Sequence, residues 1–483
     1  MWLLVAAAQL WFVARLGNDI PHWDQWGSEG RDLYPKWHDG CLKFSDLFRP
    51  HSEHRIAFTR ALNLGLFIAN QAWDPLVQLL VGVGLRALAA TCVARLLITG
   101  IPRAHQWLLS AATAVIFLPL LAWENVLWGF QSQVTFSIIL VTSGFALIAH
   151  APPDGWRHAV GWLLTGLSSL AMGAGLTAFP ALLFWLLLRL RGADRPARRT
   201  WLMLLGLAAV SALLFSPAPG HDPLKAGTPS QAIVATLRVL AWPHVGMPVA
   251  TLATIAPILA VLGIRLARAD TLRPGESATI LLGTWALLLA AALAWSRGAG
   301  DAFTAVIPSR YIDFLMLLTI SALSGLLCLM RSWPSFGRLR TAWIVGAWAV
   351  FITVGLVGVA TETWRWVIGP RWDAPNAPAM RAAAFQTTGD PTVFAGVPRM
   401  FWPSPDLDLM QQVLHDTRLA GRLPPTFQPD RPPGPFGRGT RWILAHANAA
   451  AFLSILLALA IAWIPVRPRR PSGTTTPIPD PSD

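Results

Sequence analysis

The sequence predicts an all-α polytopic membrane protein with about twelve transmembrane helices. Three observations lead there. Hydrophobic residues make up 54% of the 483 and charged residues only 13%, about half the share expected of a soluble protein. Apolar runs recur along the whole chain, and the mean hydropathy is +0.48. Arginines collect in short clusters between alternate runs, as the positive-inside rule expects. A soluble enzyme, a secreted disulfide scaffold and a disordered chain are excluded. The net charge of +13 therefore reads as loop arginine, because no basic stripe with interleaved aromatics suggests nucleic acid. Cys41, Cys92 and Cys328 are far apart and form neither a disulfide framework nor a metal motif.

The first run, Met1 to Leu16, lacks the basic start and small-residue cleavage site of a removable signal peptide and reads as a span. Further spans are expected near 75–98, 104–122, 130–149, 159–172, 177–190, 201–216, 248–264, 278–295, 312–330, 341–360 and 442–464. The runs 159–172 and 177–190 are short enough to form a tilted or re-entrant pair. Arg95 and Arg103, Arg157, the cluster Arg189 to Arg199, Arg265 to Arg273, Arg331 to Arg340 and Arg467 to Arg470 fall on one side, which is then cytoplasmic, with both termini. The tail 467–483, rich in Pro and Thr, reads as disordered. The domain plan is a bundle over 1–360 with a catalytic first outer loop at 18–60. An extracytoplasmic subdomain at 361–440 and a last span at 441–466 follow.

Ordered polar chemistry gathers on the opposite, outer side. Segment 18–60 holds Asp19, Asp24, Glu29, Asp32, Asp39, Asp46 and Glu53, seven of the chain's 25 acids, and four of its 11 histidines. A connector would be shorter and would need none of these. Asp24 lies between tryptophans in His22-Trp-Asp-Gln-Trp26, and His51-Ser-Glu-His-Arg55 packs four ionisable groups into five residues. Carboxylates near a low-dielectric boundary, restrained by Arg and His, suit general-base work. From Glu53 to Ala69 the apolar residues Ile56, Phe58, Leu62, Leu66 and Phe67 fit an amphipathic helix lying on the membrane.

A second outer patch runs from Trp123 through Glu124, Trp128 and Gln131 to Gln133. Amides entering a span need partners or a polar cavity, and Trp beside amides can stack on a sugar while the amides bond its hydroxyls. The third patch, Arg297 and then Ser309-Arg310-Tyr311, offers guanidiniums that either snorkel to headgroups or clamp a phosphate. Arg86, in mid-span, calls for a partner in the bundle. No P-loop, G-x-G-x-x-G, H-E-x-x-H or G-x-S-x-G motif occurs, so an ATP-driven pump, that type of metalloprotease and an α/β-hydrolase are poor readings.

With Pro21 to Trp26, His51 to Arg55, Trp123 to Gln133 and Ser309 to Tyr311, the chain resembles bacterial members of the GT-C superfamily of integral membrane glycosyltransferases. The resemblance covers the whole chain as architecture, a GT-C-like bundle whose first outer loop carries surface helices, and its motifs cover about thirty residues. It implies transfer of a sugar from a polyprenyl-phosphate carrier to a glycan, lipid or protein acceptor. The active site would lie on the extracytoplasmic side of the bacterial inner membrane. It also implies that a first-loop carboxylate takes the acceptor proton: Asp24 first, Glu53 second, with Asp19 open because Asn18-Asp19 stands where relatives have two acids. His51, His54, Arg55, Glu124, Trp128, Gln131, Gln133, Arg297, Arg310 and Tyr311 are the substrate-binding candidates. No cofactor is required, and a divalent cation is allowed but not indicated. The competing class is a transporter or flippase for a lipid-linked or anionic substrate, which would place ionisable groups at midplane on broken helices. Cysteine-accessibility labelling in intact cells should find 18–60 and 361–440 outside and 191–200 and the C-terminal tail inside; outside labelling near Arg198 would invert the orientation.

Overall fold

The computed structural model describes residues 1–190, 196–216, 219–268, 272–299, 307–332 and 338–463. The expected tail 467–483, and Arg191 and Arg195 of the basic cluster, lie outside them. A helix occupies each of the twelve apolar stretches, but among the described residues six are long and apolar enough to cross a membrane, or seven counting one bent pair. The six are Pro75–Ile98, Gly129–His150, Pro248–Ala267, Pro274–Arg297, Ser309–Met330 and Ala342–Asp373. The bent pair, Pro435–Ala445 and Ala447–Ala458, turns by 66° at His446. Trp2–Leu16 and Gly173–Arg189 are apolar but shorter. The last of the six runs past the expected end at 360, because Trp364–Ile368 and Gly369–Asp373 continue the helix. A further helix, Pro229–Leu240, lies between two of the expected spans.

Ser309–Ser332 is the centre of the bundle, with 94% of its apolar window buried, against 11% for Ala342–Asp373 at the periphery. It packs between Pro274–Arg297 and Thr251–Arg268. Where helices approach most closely, small residues allow it. A Cβ on Gly161 would stand 2.9 Å from the Gly144 carbonyl oxygen, so Trp156–Ser168 and Ser132–His150 meet backbone to backbone there.

Charges inside the bundle are matched by charges. Arg86, buried at mid-helix, pairs with Asp313 of the central helix, and Asn125 donates to the same carboxylate at 2.8 Å. Arg265 pairs with Glu276 across two neighbouring helices. An unmatched charge here would carry a desolvation cost of several kcal/mol or more, on the order expected for buried ions.

A second core, apart from the bundle, joins segment 18–60 to segment 361–440. Trp26, Tyr34 and Phe67 of the early part meet Phe385, Phe394, Met410 and Phe427 of the late part. The late part contains the helices Ala377–Thr388 and Leu407–Leu414. In the early part, Pro50–His51 pairs antiparallel with His54–Arg55, and Ala57–Asn70 follows as the expected surface helix. Its protein-facing side is more polar than its pattern suggested. Thr59, Arg60 and Asn63 are buried, and Phe58, Leu62 and Leu66 are only partly covered.

Glu29 explains Asn63. Its buried carboxylate receives Asn63 Nδ2 at 2.9 Å, Tyr34 OH at 2.9 Å, Trp73 Nε1 at 3.0 Å, Gln78 Nε2 at 2.8 Å and Gln25 Nε2 at 3.3 Å. All five donors are neutral. Burial raises the Glu29 carboxyl above its ordinary value, more than the hydrogen bonds from Gln78, Tyr34, Asn63 and Gln25 lower it. The folded protein then holds a proton over a pH range where the unfolded chain has released it, so this group's contribution to stability falls as pH rises through that range. Thermal unfolding of wild type and Glu29→Gln should show wild type losing ground to the variant as pH rises above the ordinary carboxylate range. A difference that is flat with pH would show that Glu29 titrates at its ordinary value.

Candidate active site

The first loop is held over the bundle by the late loop. Trp23 takes a positive φ of 48°, a conformation that costs a non-glycine residue roughly 1–2 kcal/mol. Three hydrogen bonds hold it there: Trp23 N and Nε1 donate to the carbonyls of Pro403 and Trp402 at 2.6 and 3.1 Å, and Trp26 Nε1 donates to Pro403 O at 3.1 Å. Asp24, between the two indoles, is thereby turned toward the second hairpin motif. Its Oδ1 lies 3.7 Å from His51 Nε2, and 46% of its side chain is exposed.

The hairpin is anchored from the other side. Ala57 N donates to Leu170 O at 2.8 Å, in the break between the two short helices Trp156–Ser168 and Ala178–Arg189. Ser52, at φ 52°, makes the tight turn that presents Glu53. His54 lies against Gly173, where a Cβ would stand 2.5 Å from its Nδ1. The expected short pair of spans thus brings Met172 and Gly173 beside the hairpin.

These elements enclose a polar cavity of about 260 Å³. Ten of the sequence candidates line it: Asp24, Glu53, His51, His54, Trp128, Gln131, Gln133, Arg297, Arg310 and Tyr311. Three do not. Asp19 is turned away to accept from Thr426 N at 3.0 Å and Oγ1 at 2.5 Å and to meet Arg441, joining early and late loops. Arg55 donates to Phe48 O at 2.6 Å and Leu214 O at 3.4 Å, and so holds loop backbone. Glu124 sits behind the cavity and fixes Arg310: its Oε1 receives Arg310 Nη1 at 2.9 Å, and its Oε2 receives Ser309 Oγ at 2.8 Å and Arg310 N at 3.0 Å. The Ser309-Arg310 pair is thus explained by one carboxylate 185 residues away.

His221 also lines the cavity, and the sequence reading missed it. It lies in the short turn Pro219–Leu224, and nothing in its neighbourhood marks it as functional. Its Nδ1 lies 2.5 Å from Glu53 Oε2, while Arg297 Nη2 donates to Glu53 Oε1 at 2.6 Å. Burial alone would raise the Glu53 carboxyl, but the neighbouring His54 ring and Arg297, with the hydrogen bond from Arg297 Nη2, outweigh it and hold the group below its ordinary value. Desolvation brings the His54 imidazole down to about 4, so His54 is neutral at physiological pH and Arg297 is the standing cation beside Glu53. Tyr311 is hydrogen-bonded to both Arg297 and Arg310.

A second cavity of about 420 Å³ adjoins the first and is mostly apolar, walled by residues such as Leu176, Phe215, Leu289, Leu293 and Phe314. The two share Glu53, His54, Met172, His221, Arg297 and Tyr311. The arrangement can hold one amphiphilic molecule with its apolar part on one side of this wall and its polar part on the other.

No protein-family model matches the chain, and no curated protein does. Among solved structures it is similar to the apo form of an oligosaccharyltransferase from Archaeoglobus fulgidus, at 13% identity and a TM-score of 0.45, covering 80% of this chain and 58% of that one. The chain thus spans less than two thirds of that neighbour. At that identity and score the likeness carries no weight in assigning an activity.

Gly173→Ala should lower the unfolding midpoint, since the added methyl overlaps His54, an overpacking cost of roughly 1–3 kcal/mol. Gly166→Ala, whose methyl would come no nearer than 3.7 Å to Leu207 Cδ1, is the control. Equal midpoints for the two would mean that the hairpin does not press on Gly173.

Proposed function

We propose that the chain is a membrane glycosyltransferase of the GT-C kind. It would move a sugar from a polyprenyl-phosphate carrier to a hydroxyl of a glycan, lipid or protein acceptor, at the outer face of the bacterial inner membrane. The observation that carries this reading is the pair of adjoining cavities of opposite character with ionisable groups on their common wall. The apolar cavity suits the first units of the carrier chain. In the polar one, Trp23 and Trp128 offer indole faces and Gln131 and Gln133 offer amides for a sugar ring. The buried Trp128 Nε1 and Gln133 Oε1 have no hydrogen-bond partner in the protein, a deficit of about 1–3 kcal/mol each that a hydroxyl-bearing ligand or water relieves.

The acceptor oxygen attacks the anomeric carbon, the bond from that carbon to the phosphate oxygen breaks, and the electron pair leaves with the phosphate. The acceptor proton passes to a carboxylate. Asp24 is the better placed of the candidates because it is exposed at the polar cavity, whereas Glu53 is engaged by Arg297 and His221 and Asp19 lies outside. Arg297 and Arg310 supply the positive charge for the phosphate, so the reading requires no metal or organic cofactor.

The transporter reading draws on the buried Arg86–Asp313 pair in the bundle, since midplane charges often line a translocation path. It leaves the acids and amides around the polar cavity without a task. Asp24→Asn keeps the shape and removes the proton acceptor. It should lower kcat roughly a hundredfold or more with little change in donor KM, measured by transfer of labelled sugar from an undecaprenyl-phosphate carrier. Normal turnover by this variant would remove Asp24 from the chemistry.

A further inference from the structure

A carrier lipid that spans both cavities must place its phosphate where they meet. Of the two guanidiniums, Arg310 lines only the polar cavity and is held by Glu124, whereas Arg297 lines both. His221 lines both as well. Between them lies the Glu53 carboxylate, one oxygen 2.6 Å from Arg297 Nη2 and the other 2.5 Å from His221 Nδ1. Two carboxylate oxygens, one hydrogen-bonded to a guanidinium and one at ion-pair distance from an imidazole that itself lies 3.4 Å from that guanidinium, stand where two phosphate oxygens would meet the same groups. We propose that Arg297 and His221 form the seat for the phosphate of an alkyl or polyprenyl phosphoester, and that Glu53 is the seat's resident anion, displaced when the ester arrives. This rests on the transferase reading above.

The exchange is balanced in charge. A sugar phosphodiester brings one negative charge, and the carboxylate it displaces carries one. Arg297 therefore has a partner before and after, which matters because an unpaired guanidinium against an apolar cavity is costly. The carrier of the displaced anion is small and local: Glu53 stands at the tip of a hairpin whose strands are two residues each, with 22% of its side chain exposed. Tyr311, hydrogen-bonded to Arg297 and Arg310, is placed to follow the phosphate from one side. Once displaced, Glu53 no longer has the Arg297 charge holding its carboxyl down, so donor binding releases a more basic carboxylate into the polar cavity.

The inference has a sign that a merely structural residue would not give. If Glu53 competes for the seat, removing its charge strengthens phosphate binding. The full chain in nanodiscs of uncharged lipid is titrated by calorimetry with dodecyl phosphate and, as a neutral probe, dodecyl maltoside. Glu53→Gln should bind dodecyl phosphate about tenfold or more tightly than wild type, because a seat open only part of the time weakens apparent affinity by that fraction. Arg297→Ala in the Glu53→Gln background should abolish the gain. Dodecyl maltoside should bind the two proteins equally, which also reports that the variant is folded. Binding of dodecyl phosphate to Glu53→Gln that is unchanged, weaker or absent overturns the proposal, as does a gain shared by the neutral probe. The calorimetry needs no turnover. If the gain appears while wild type moves no sugar from an undecaprenyl-phosphate carrier, the phosphate seat stands and the transferase reading alone falls.

Discussion

The hold of the late loop on the first is the interaction from which the site follows. Without the Trp402 and Pro403 carbonyls, nothing offsets the left-handed conformation of Trp23, and Asp24 has no fixed direction. The same contact closes the second core, where Trp26 lies edge-on to Trp73 and Phe427. Asp19 extends the junction through Thr426 and Arg441, and Arg441 in turn reaches Asp74 at the start of a long helix. A late segment of the chain thus sets the geometry of an early one, while the bundle beneath supplies Arg297, Arg310 and Tyr311.

This explains which parts of the molecule could be read from the sequence. Apolar runs report helices because burial and backbone satisfaction in a bundle are local demands, and helices stand at all twelve expected places. Run length is a weaker guide to crossing, since Trp156–Ser168 and Ala178–Arg189 are short and the segment that joins them, from Met172 to Thr177, lines the apolar cavity. The polar motifs pointed to the cavity because neither a lipid-facing helix nor a plain connector has use for Gln131, Gln133 or His51 to His54. The roles of the individual acids were not legible. Asp19, Asp24, Glu29 and Glu53 look alike along the chain, yet one ties loops together, one is exposed, one is buried among neutral donors and one is paired with arginine. Those differences arise from partners hundreds of residues away, such as Thr426 for Asp19 and Arg297 for Glu53. His221 was silent for the same reason, since its meaning comes only from the carboxylate beside it.

The pairing of charges also decides how a ligand can enter. Both guanidiniums of the polar cavity already have a carboxylate, Glu53 for Arg297 and Glu124 for Arg310. The two pairs differ in the freedom of the acid. Glu124 is buried and also bound by Ser309 Oγ and the Arg310 amide, so it is part of the scaffold and keeps Arg310 aimed. Glu53 rides on a turn and meets only side chains that face the cavities. An anion can therefore replace Glu53 at small structural cost, whereas replacing Glu124 would strip three hydrogen bonds from the start of the central helix. Two arginines that look equivalent in sequence are thus a fixed one and an exchangeable one.

That difference orders the events at the site. In the proposed reaction, before a donor arrives the carboxylate on Arg297 keeps the boundary between the cavities electrically closed, and the apolar side could accept a lipid chain without facing a bare cation. With phosphate on Arg297, as proposed, the turn would be free to move, and the polar cavity would hold a released carboxylate beside the sugar to be attacked. Asp24, 3.7 Å from His51 and half exposed, is the acid that an acceptor coming from water would meet in the proposed transfer. On that reading, donor from the lipid side and acceptor from the aqueous side would converge on a boundary where Arg297 keeps an anionic partner throughout, so the donor chain never faces a bare cation in low dielectric.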